Sequence, residues 1–404
     1  MKKIIWIGSY MTDEQFANLP TKSTGQLSAF TSERSLVGGI DVNIENTDYT
    51  MDTIGVISGL SFPKAEMFIK QEKFQRKAGT YDVHSGFCNF PYINRFLRGK
   101  AYKKEVKRWY ENNKNVDELV VYTYGVGIGK IKAAIWLKNH IPNCRIYTII
   151  PDIPMFVNMK NSKVWNYLKK RSEIKTKRLF PVIDGFVLYS APMADYFCLS
   201  PEKWMLMEGS ISNEDINFVK NFEKKKPNEN FVMMYSGAVD VARGMPQLLQ
   251  AMKDLPDRDL ELWLTGKGNY VEKVNAAAKE DSRIKYLGCL DTREEVLELE
   301  MQADLLLHIR VPDAPYAPYC FPSKVFEYLA TGNKVASVIM AGIPEDYYKY
   351  MIPIENFSSE GIVNAVKFAK DNGNSKENGQ EFVIENKNDV VQTKRMLDFA
   401  KVSS

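Results

Sequence analysis

From about residue 231 to about 340, short runs rich in Val, Leu and Ile alternate with stretches of helical period. The spacing predicts strands at Phe231–Ser236, Leu260–Thr265, Ile284–Leu287, Asp304–Ile309 and Lys334–Ile339, with helices near 244–253, 270–280, 291–302 and 323–331. Parallel neighbours need crossovers, and helices of this length supply them, so the pattern dictates a doubly wound α/β sheet. The first half uses the same alphabet less regularly, with strands expected at Lys3–Ile7, Thr53–Ser58, Glu118–Thr123, Arg145–Ile150 and Gly185–Tyr189 and a long insert at about 60–115. A chain of 404 residues exceeds one ordinary core. The expected organisation is therefore two Rossmann-like domains, 1–211 and 231–385, joined by a polar, lysine-rich linker at 212–230. A last helix at 386–404 is expected to cross back to the first domain.

Composition narrows the setting. No stretch approaches the roughly 20 apolar residues that cross a bilayer, and the first apolar run, Ile4 to Ile7, reads as a strand and not as a signal peptide. The five cysteines are odd in number and widely spaced, which argues against a disulfide framework or a structural zinc and fits a reducing cytoplasm. Net charge is +4, but the first 200 residues are basic and the remainder acidic. A basic half suits an anionic partner, or simply a solvated lysine-rich surface.

In open α/β sheets, ligands bind at the carboxyl ends of the strands, and two such sheets facing each other would enclose a cleft. The segment Phe321-Pro322-Ser323-Lys324-Val325-Phe326-Glu327-Tyr328-Leu329-Ala330-Thr331-Gly332 follows a predicted strand and carries its own helix boundaries. Pro322 suits a first turn, Ser323 offers a capping hydroxyl, and Gly332 suits the left-handed position past the helix end. A diphosphate docked there would meet backbone N–H groups and the Lys324 cation, and Glu327, one turn on, could accept both hydroxyls of a ribose. The alternative is an ordinary i,i+3 surface pair.

These residues resemble the donor-site signature of family 4 glycosyltransferases of bacterial surface-polysaccharide synthesis. The likeness extends back through Ala303 to Arg310, and includes Tyr235-Ser236-Gly237 and Arg243-Gly244. It implies the GT-B fold, with acceptor-binding and nucleotide-sugar-binding Rossmann-like domains facing across a cleft, and transfer with retention to a glycan or lipid-linked acceptor without a metal or cofactor. Arg243 and Lys324 would stabilise the leaving diphosphate. Ser323, Gly237 and Arg310 would line the donor site, Glu327 would hold the ribose, and Lys267 in Gly266-Lys267-Gly268 would touch base or phosphate. In the first half, Ser23-Thr24-Gly25 looks like the relatives' glycine turn, and Asp152 matches an aspartate at the acceptor side. His84 and Asn89 lie in a stretch that resembles an acceptor loop. Two departures stand out: Tyr319 occupies the place of a first glutamate eight residues before Glu327, and Ala238 that of an arginine. They leave open a catalytically inactive partner protein of the same fold; a nucleotide-sugar epimerase is the rival among enzymes.

Other signals are weaker. Gly125-Val126-Gly127-Ile128-Gly129-Lys130 lacks the first glycine of a phosphate loop and its terminal Ser or Thr, so it reads as a strand-to-helix turn. The three histidines have no partner at metal-ligand spacing. Two basic, aromatic stretches, 95–109 and 160–178, suit an anionic membrane surface, so a cytoplasmic protein that docks on the inner face of the membrane is expected. No nucleic-acid-binding motif is present.

Overall fold

The computed structural model describes residues 1–19, 24–57, 59–91, 93–156, 163–223, 229–371 and 373–402, with backbone alone at 24–28 and 163–165. It divides into two compact units, Met1–Ser210 with Asp389–Ser404, and Ile211–Asn388.

Unit 1 contains β1 (Lys2–Gly8), β2 (Tyr49–Gly55), β3 (Phe68–Ile69), β4 (Glu72–Phe74), β5 (Asp82–His84), β6 (Phe87–Cys88), β7 (Glu118–Tyr124), β8 (Cys144–Ile150), β9 (Gly185–Leu188) and β10 (Trp204–Leu206). Eight of these form one sheet in the order β10-β9-β8-β7-β1-β2-β5-β4. It is parallel except at β4, which runs antiparallel to β5. Ile4, Ile5, Trp6 and Ile7 are all fully buried, as expected of a central parallel strand covered on both faces. The C-terminal helix Asp389–Phe399 lies in this unit, against the helix Thr24–Asn43. The approach is close: a Cβ at Gly39 would stand 2.6 Å from the Asp389 carbonyl oxygen. Within the insert, β3 pairs with β6 in a small ribbon, and the helix Asn94–Glu111 follows.

Unit 2 contains β11 (Phe231–Ser236), β12 (Leu260–Thr265), β13 (Ile284–Tyr286), β14 (Leu305–His308), β15 (Lys334–Val338) and β16 (Ile352–Ile354), ordered β13-β12-β11-β14-β15-β16 and parallel throughout. The β12 and β11 loops touch through glycine: Gly266 has φ +132°, and a Cβ there would fall 1.8 Å from the Gly237 carbonyl oxygen.

The expected linker at 212–230 needs correction. Ser212 caps a helix, Asn213–Asn221, by accepting from the Asp215 N–H at 3.1 Å, and that helix buries Ile216 and Val219 within unit 2. The Ser-x-x-Asp cap and the apolar pair were written in the sequence beside the lysine run. Residues 224–228 of that run lie outside the described part. Unit 2 also continues to Asn388, past the expected end at 385, through the helix Gly379–Asn386.

Candidate functional site

Chemistry in unit 2 gathers where β11 ends and the helix Lys324–Ala330 begins. The helix buries Val325, Phe326, Tyr328, Leu329 and Ala330, which leaves Lys324 and Glu327 on its remaining face, each side chain about a quarter exposed. Gly332 follows the helix at φ +74°. Ser323 precedes it in helical conformation and makes no side-chain cap, contrary to expectation; Pro322 lies one residue earlier and accepts from Val325 through its carbonyl.

Lys324 Nζ donates to Glu327 Oε2 at 2.8 Å and to Glu300 Oε1 at 2.9 Å. Arg293, the first residue of the helix Arg293–Gln302, reaches Glu327 Oε2 at 2.9 Å, Asp215 at 3.5 Å and Glu300 Oε2 at 4.0 Å. Two cations thus alternate with three carboxylates. Glu300 is wholly buried; its Oε1 also accepts from the Ser236 hydroxyl at the end of β11, where the Ser236 N–H donates to Tyr328 Oη at 3.0 Å. Burial pushes the Glu327 carboxyl up, but Arg293 and Lys324 outweigh it and hold its pKa well below the usual range. Burial would release the Lys324 proton, yet Glu300 and Glu327 hold it more firmly than usual. Sequence reasoning singled out Lys324 and Glu327 but missed Arg293, Glu300 and Asp215.

In the loop after β11, Arg243 is half-buried before Gly244, where an added Cβ would meet Ile309 Cγ2 at 2.4 Å. Both Arg243 and Lys324 act on the Tyr235 phenol, against the burial that raises it, so both cations lie near the same strand end. His308 is buried and accepts or donates at Ser337 Oγ, 2.8 Å away; burial, then Arg310 and Arg243, bring its pKa down to about 3. Arg310 is buried too, stacked over Tyr316 at 4.8 Å with Nη1 3.5 Å from Cys320 Sγ. Gly237 donates to Thr265 O at 3.0 Å, and Lys267 stands exposed past β12. Unit 2 therefore brings Gly237, Arg243, Arg310, Ser323, Lys324 and Glu327 to the carboxyl edge of its sheet, with Lys267 at the neighbouring strand.

In unit 1 the expectations fare differently. Asp152 is exposed just past β8; burial raises the Tyr124 and Tyr189 phenols, and the Asp152 charge adds a lesser push in the same direction. Gly25 stands inside the helix Thr24–Asn43 and not in a turn before it, and Ser23 lies outside the described residues. His84 is buried in β5, with Nε2 2.6 Å from the Tyr10 carbonyl and its ring against Phe74, and burial lowers its pKa. Asn89 is likewise buried and donates to Leu60 O and Glu66 O at 2.9 and 3.3 Å. Both side chains brace the insert through these bonds. Gly8 ends β1 under the Glu33 carboxylate, which accepts from Trp6 Nε1 at 2.7 Å and from the Ser9 N–H.

Among the described residues no cluster of three or more His, Cys, Asp or Glu side chains could hold a metal ion. No helix of the described residues is long and apolar enough to cross a membrane.

No protein-family model matches the sequence, and no curated protein sequence does. Solved structures do match over the whole length. Sucrose-phosphate synthase from Thermosynechococcus elongatus superposes with a TM-score of 0.63 at 14% identity, covering 100% of this chain and 99% of that one. Anabaena HepE in complex with UDP gives 0.63 at 14% identity, with 100% of both chains covered. A glycosyltransferase from Rickettsia africae gives 0.66 at 14% identity over 99% of this chain and 98% of that one. The fold is GT-B. At these identities the likeness fixes the architecture, and in a GT-B chain the carboxyl edges of the two sheets are where bound groups are sought.

Proposed function

We propose that this GT-B chain is a glycosyltransferase that takes a nucleotide-diphosphate sugar in unit 2 and transfers the sugar, with retention, to a glycan or lipid-linked acceptor in surface-polysaccharide synthesis. The observation that carries the reading is the Lys324–Glu327 pair at the carboxyl edge of a doubly wound sheet, locked by Arg293 and Glu300. An ionised Glu327 can only accept hydrogen bonds, as recognition of a vicinal diol requires. Both ion pairs fall on Oε2, so Oε1 would receive the ribose hydroxyls. Lys324 and Arg243, both near the β11 end, would take up the charge that develops on the diphosphate as the bond to the anomeric carbon breaks. Arg310, Ser323, Gly237 and Lys267 would complete the donor site, and Asp152 would work on the acceptor side in unit 1. The neighbouring HepE structure contains UDP, which supports a nucleotide sugar as the donor class.

Two further parts of the reading concern setting. No metal or cofactor is called for. The helix Lys163–Lys177 turns Tyr167, Leu168 and Ile174 to solvent among Arg171 and Lys175, and Phe96 is 65% exposed beside Lys100 on the helix Asn94–Glu111. Such faces suit an anionic bilayer, consistent with a cytoplasmic enzyme docked at the inner face of the membrane. Sedimentation with anionic, but not zwitterionic, vesicles would support this.

The deciding measurement is a thermal-shift panel of UDP, GDP, dTDP, CMP and their sugars on the wild type and Glu327→Ala. A ligand at 100 times its dissociation constant adds about 2.7 kcal/mol. A response to one nucleotide that vanishes in the variant supports the reading, and no response to any nucleotide sinks it. Ala238 and Tyr319 favour one second reading, an inactive partner protein, which would bind without turnover; conversion of a free nucleotide sugar without acceptor would instead mean an epimerase.

A further inference from the structure

Three arginines of this chain are held by carboxylates. Arg76 lies between Asp41 and Asp82, Arg283 reaches Asp281 at 2.6 Å, and Arg293 reaches Glu327 at 2.9 Å. Arg310, two residues past β14 and only 8% exposed, departs from that pattern. Its neighbours are neutral: Nη1 donates to Cys320 Sγ at 3.5 Å, and Cζ stands 4.8 Å from the centre of the Tyr316 ring. Nε is buried with no hydrogen-bond partner. Burial works against the Arg310 charge, and the Cys320 thiol and Tyr316 phenol are what offset it. Among the described residues no carboxylate pairs with it, and Asp313, three residues on, is exposed. Arg243 joins Arg310 in acting on the buried His308 ring, so this strand end is positive. A cation buried among neutral groups is destabilising unless an anion is brought to it.

The position of Arg310 assigns that anion. Glu327 and Lys324 lie one turn apart on the helix Lys324–Ala330, and Cys320 lies four residues ahead of it. With ribose at Glu327 and diphosphate at Lys324 and Arg243, the next group along a nucleotide-diphosphate sugar is the sugar itself. The next side chain along the protein that carries a charge is Arg310, held against Cys320. The segment that holds it is firmly set. The Tyr319 N–H donates to Tyr316 O at 2.9 Å, and a Cβ added at Gly342 would lie 2.4 Å from both Ala317 O and Cys320 O.

We infer that Arg310 makes this site selective for a donor whose sugar carries a carboxylate, as in a nucleotide-diphosphate hexuronate. The inference rests on the transferase reading and deepens it by naming the donor class. A guanidinium matches a carboxylate through two parallel N–H···O bonds, and a fork already oriented by a ring and a thiol loses little freedom in making them. A neutral hexose offers only hydroxyls, which leave the buried charge without a counter-ion.

The test titrates the full chain calorimetrically with UDP-glucuronate and UDP-glucose, and in parallel with GDP-mannuronate and GDP-mannose. In one series the acidic sugar should bind roughly tenfold or more tighter than its neutral partner, and Arg310→Gln should bring that ratio close to one. Arg310→Lys keeps the charge but not the fork, so it should lower the ratio several-fold; it carries the comparison should Arg310→Gln fail to fold. Equal affinity for acidic and neutral sugars in the wild type would overturn the inference. So would a ratio that survives both substitutions, because Arg310 would then serve the diphosphate, which both sugars share. In either of those outcomes nucleotide sugars still bind, and the transferase reading stands. No response to either series also overturns the inference, and the transferase reading falls with it only when dTDP and CMP sugars give none as well.

Discussion

Glu300 has no exposed surface, yet it sits between Lys324 and Arg293. Removing one partner of a buried pair leaves the other charge uncompensated, at a cost of about 3–5 kcal/mol. Because Glu327 still faces Lys324, Glu300→Gln should lie near the lower end, about 3 kcal/mol by urea unfolding, and should weaken nucleotide binding through a displaced Lys324. An unchanged unfolding midpoint would mean that Glu300 contributes nothing to holding this cluster. His308 makes a prediction of opposite origin. Its folded pKa, about 3, lies below the ordinary value because burial and two arginines disfavour the imidazolium. Between that value and about 6.5 the unfolded chain binds a proton that the folded one does not, so acidification erodes stability, by up to about 1.4 kcal/mol per pH unit. His308→Gln should flatten the pH dependence of the unfolding midpoint between pH 6 and pH 4, roughly the window so defined; an unaltered slope would rule out a buried neutral histidine. Lys324 and Glu327 were legible because a proline, a serine and a glycine framed their helix. Arg293 and Glu300 were not, since Arg293-Glu294-Glu295 reads as a solvated helix start and only the fold turns Glu300 inward.

Elements with a strong period declared themselves. β11 and β12 run over the expected residues because β11 is apolar on both faces and β12 keeps Leu260, Leu262 and Leu264 buried in strict alternation. Short strands did not: β16 carries Pro353, which reads as a breaker, and β3 to β6 are two or three residues each in a polar insert. The capped helix Asn213–Asn221 was hidden by the lysine run behind it, though its Asp215 ends up facing Arg293. Loop junctions are equally exacting. Gly266 combines φ +132° with contact at the Gly237 carbonyl, so Gly266→Ala must both strain the backbone and part the β11 and β12 loops. A loss of about 2–3 kcal/mol is expected, with a lower melting temperature and weaker UDP binding; a variant melting like the wild type would show that the two loops can separate freely. In unit 1 the helices Asn94–Glu111 and Ile128–Lys138 cross where a Cβ at Gly129 would lie 2.6 Å from Gly99 Cα, so Gly129→Val should selectively loosen that crossing, seen as faster amide exchange in both helices.

The chain leaves unit 1 at Ser210 and returns at Asp389, so the last residues complete a core that the first ones began. Met396, Leu397, Ala400 and Val402 are buried in the cluster that contains Ile4, Trp6 and Tyr122. The Tyr122 hydroxyl donates to Met396 O at 3.0 Å, and Gln392 donates to Met207 O and Gly209 O at 2.7 and 2.9 Å. At about 1.5–3 kcal/mol for each large apolar side chain fully buried, deleting 389–404 removes an amount comparable with the roughly 5–15 kcal/mol that holds a whole domain together. Unit 2 loses nothing of its own core in that deletion, since its buried cluster runs from Ile211 to Val383. The truncated chain should therefore keep a cooperative calorimetric transition for unit 2 and its UDP response, while unit 1 becomes protease-sensitive throughout. Preservation of both transitions would mean that the sheet of unit 1 stands without its returning helix. Loss of both would mean that unit 2 depends on unit 1 for its stability, and the fragment 211–388 expressed alone would then fail to fold.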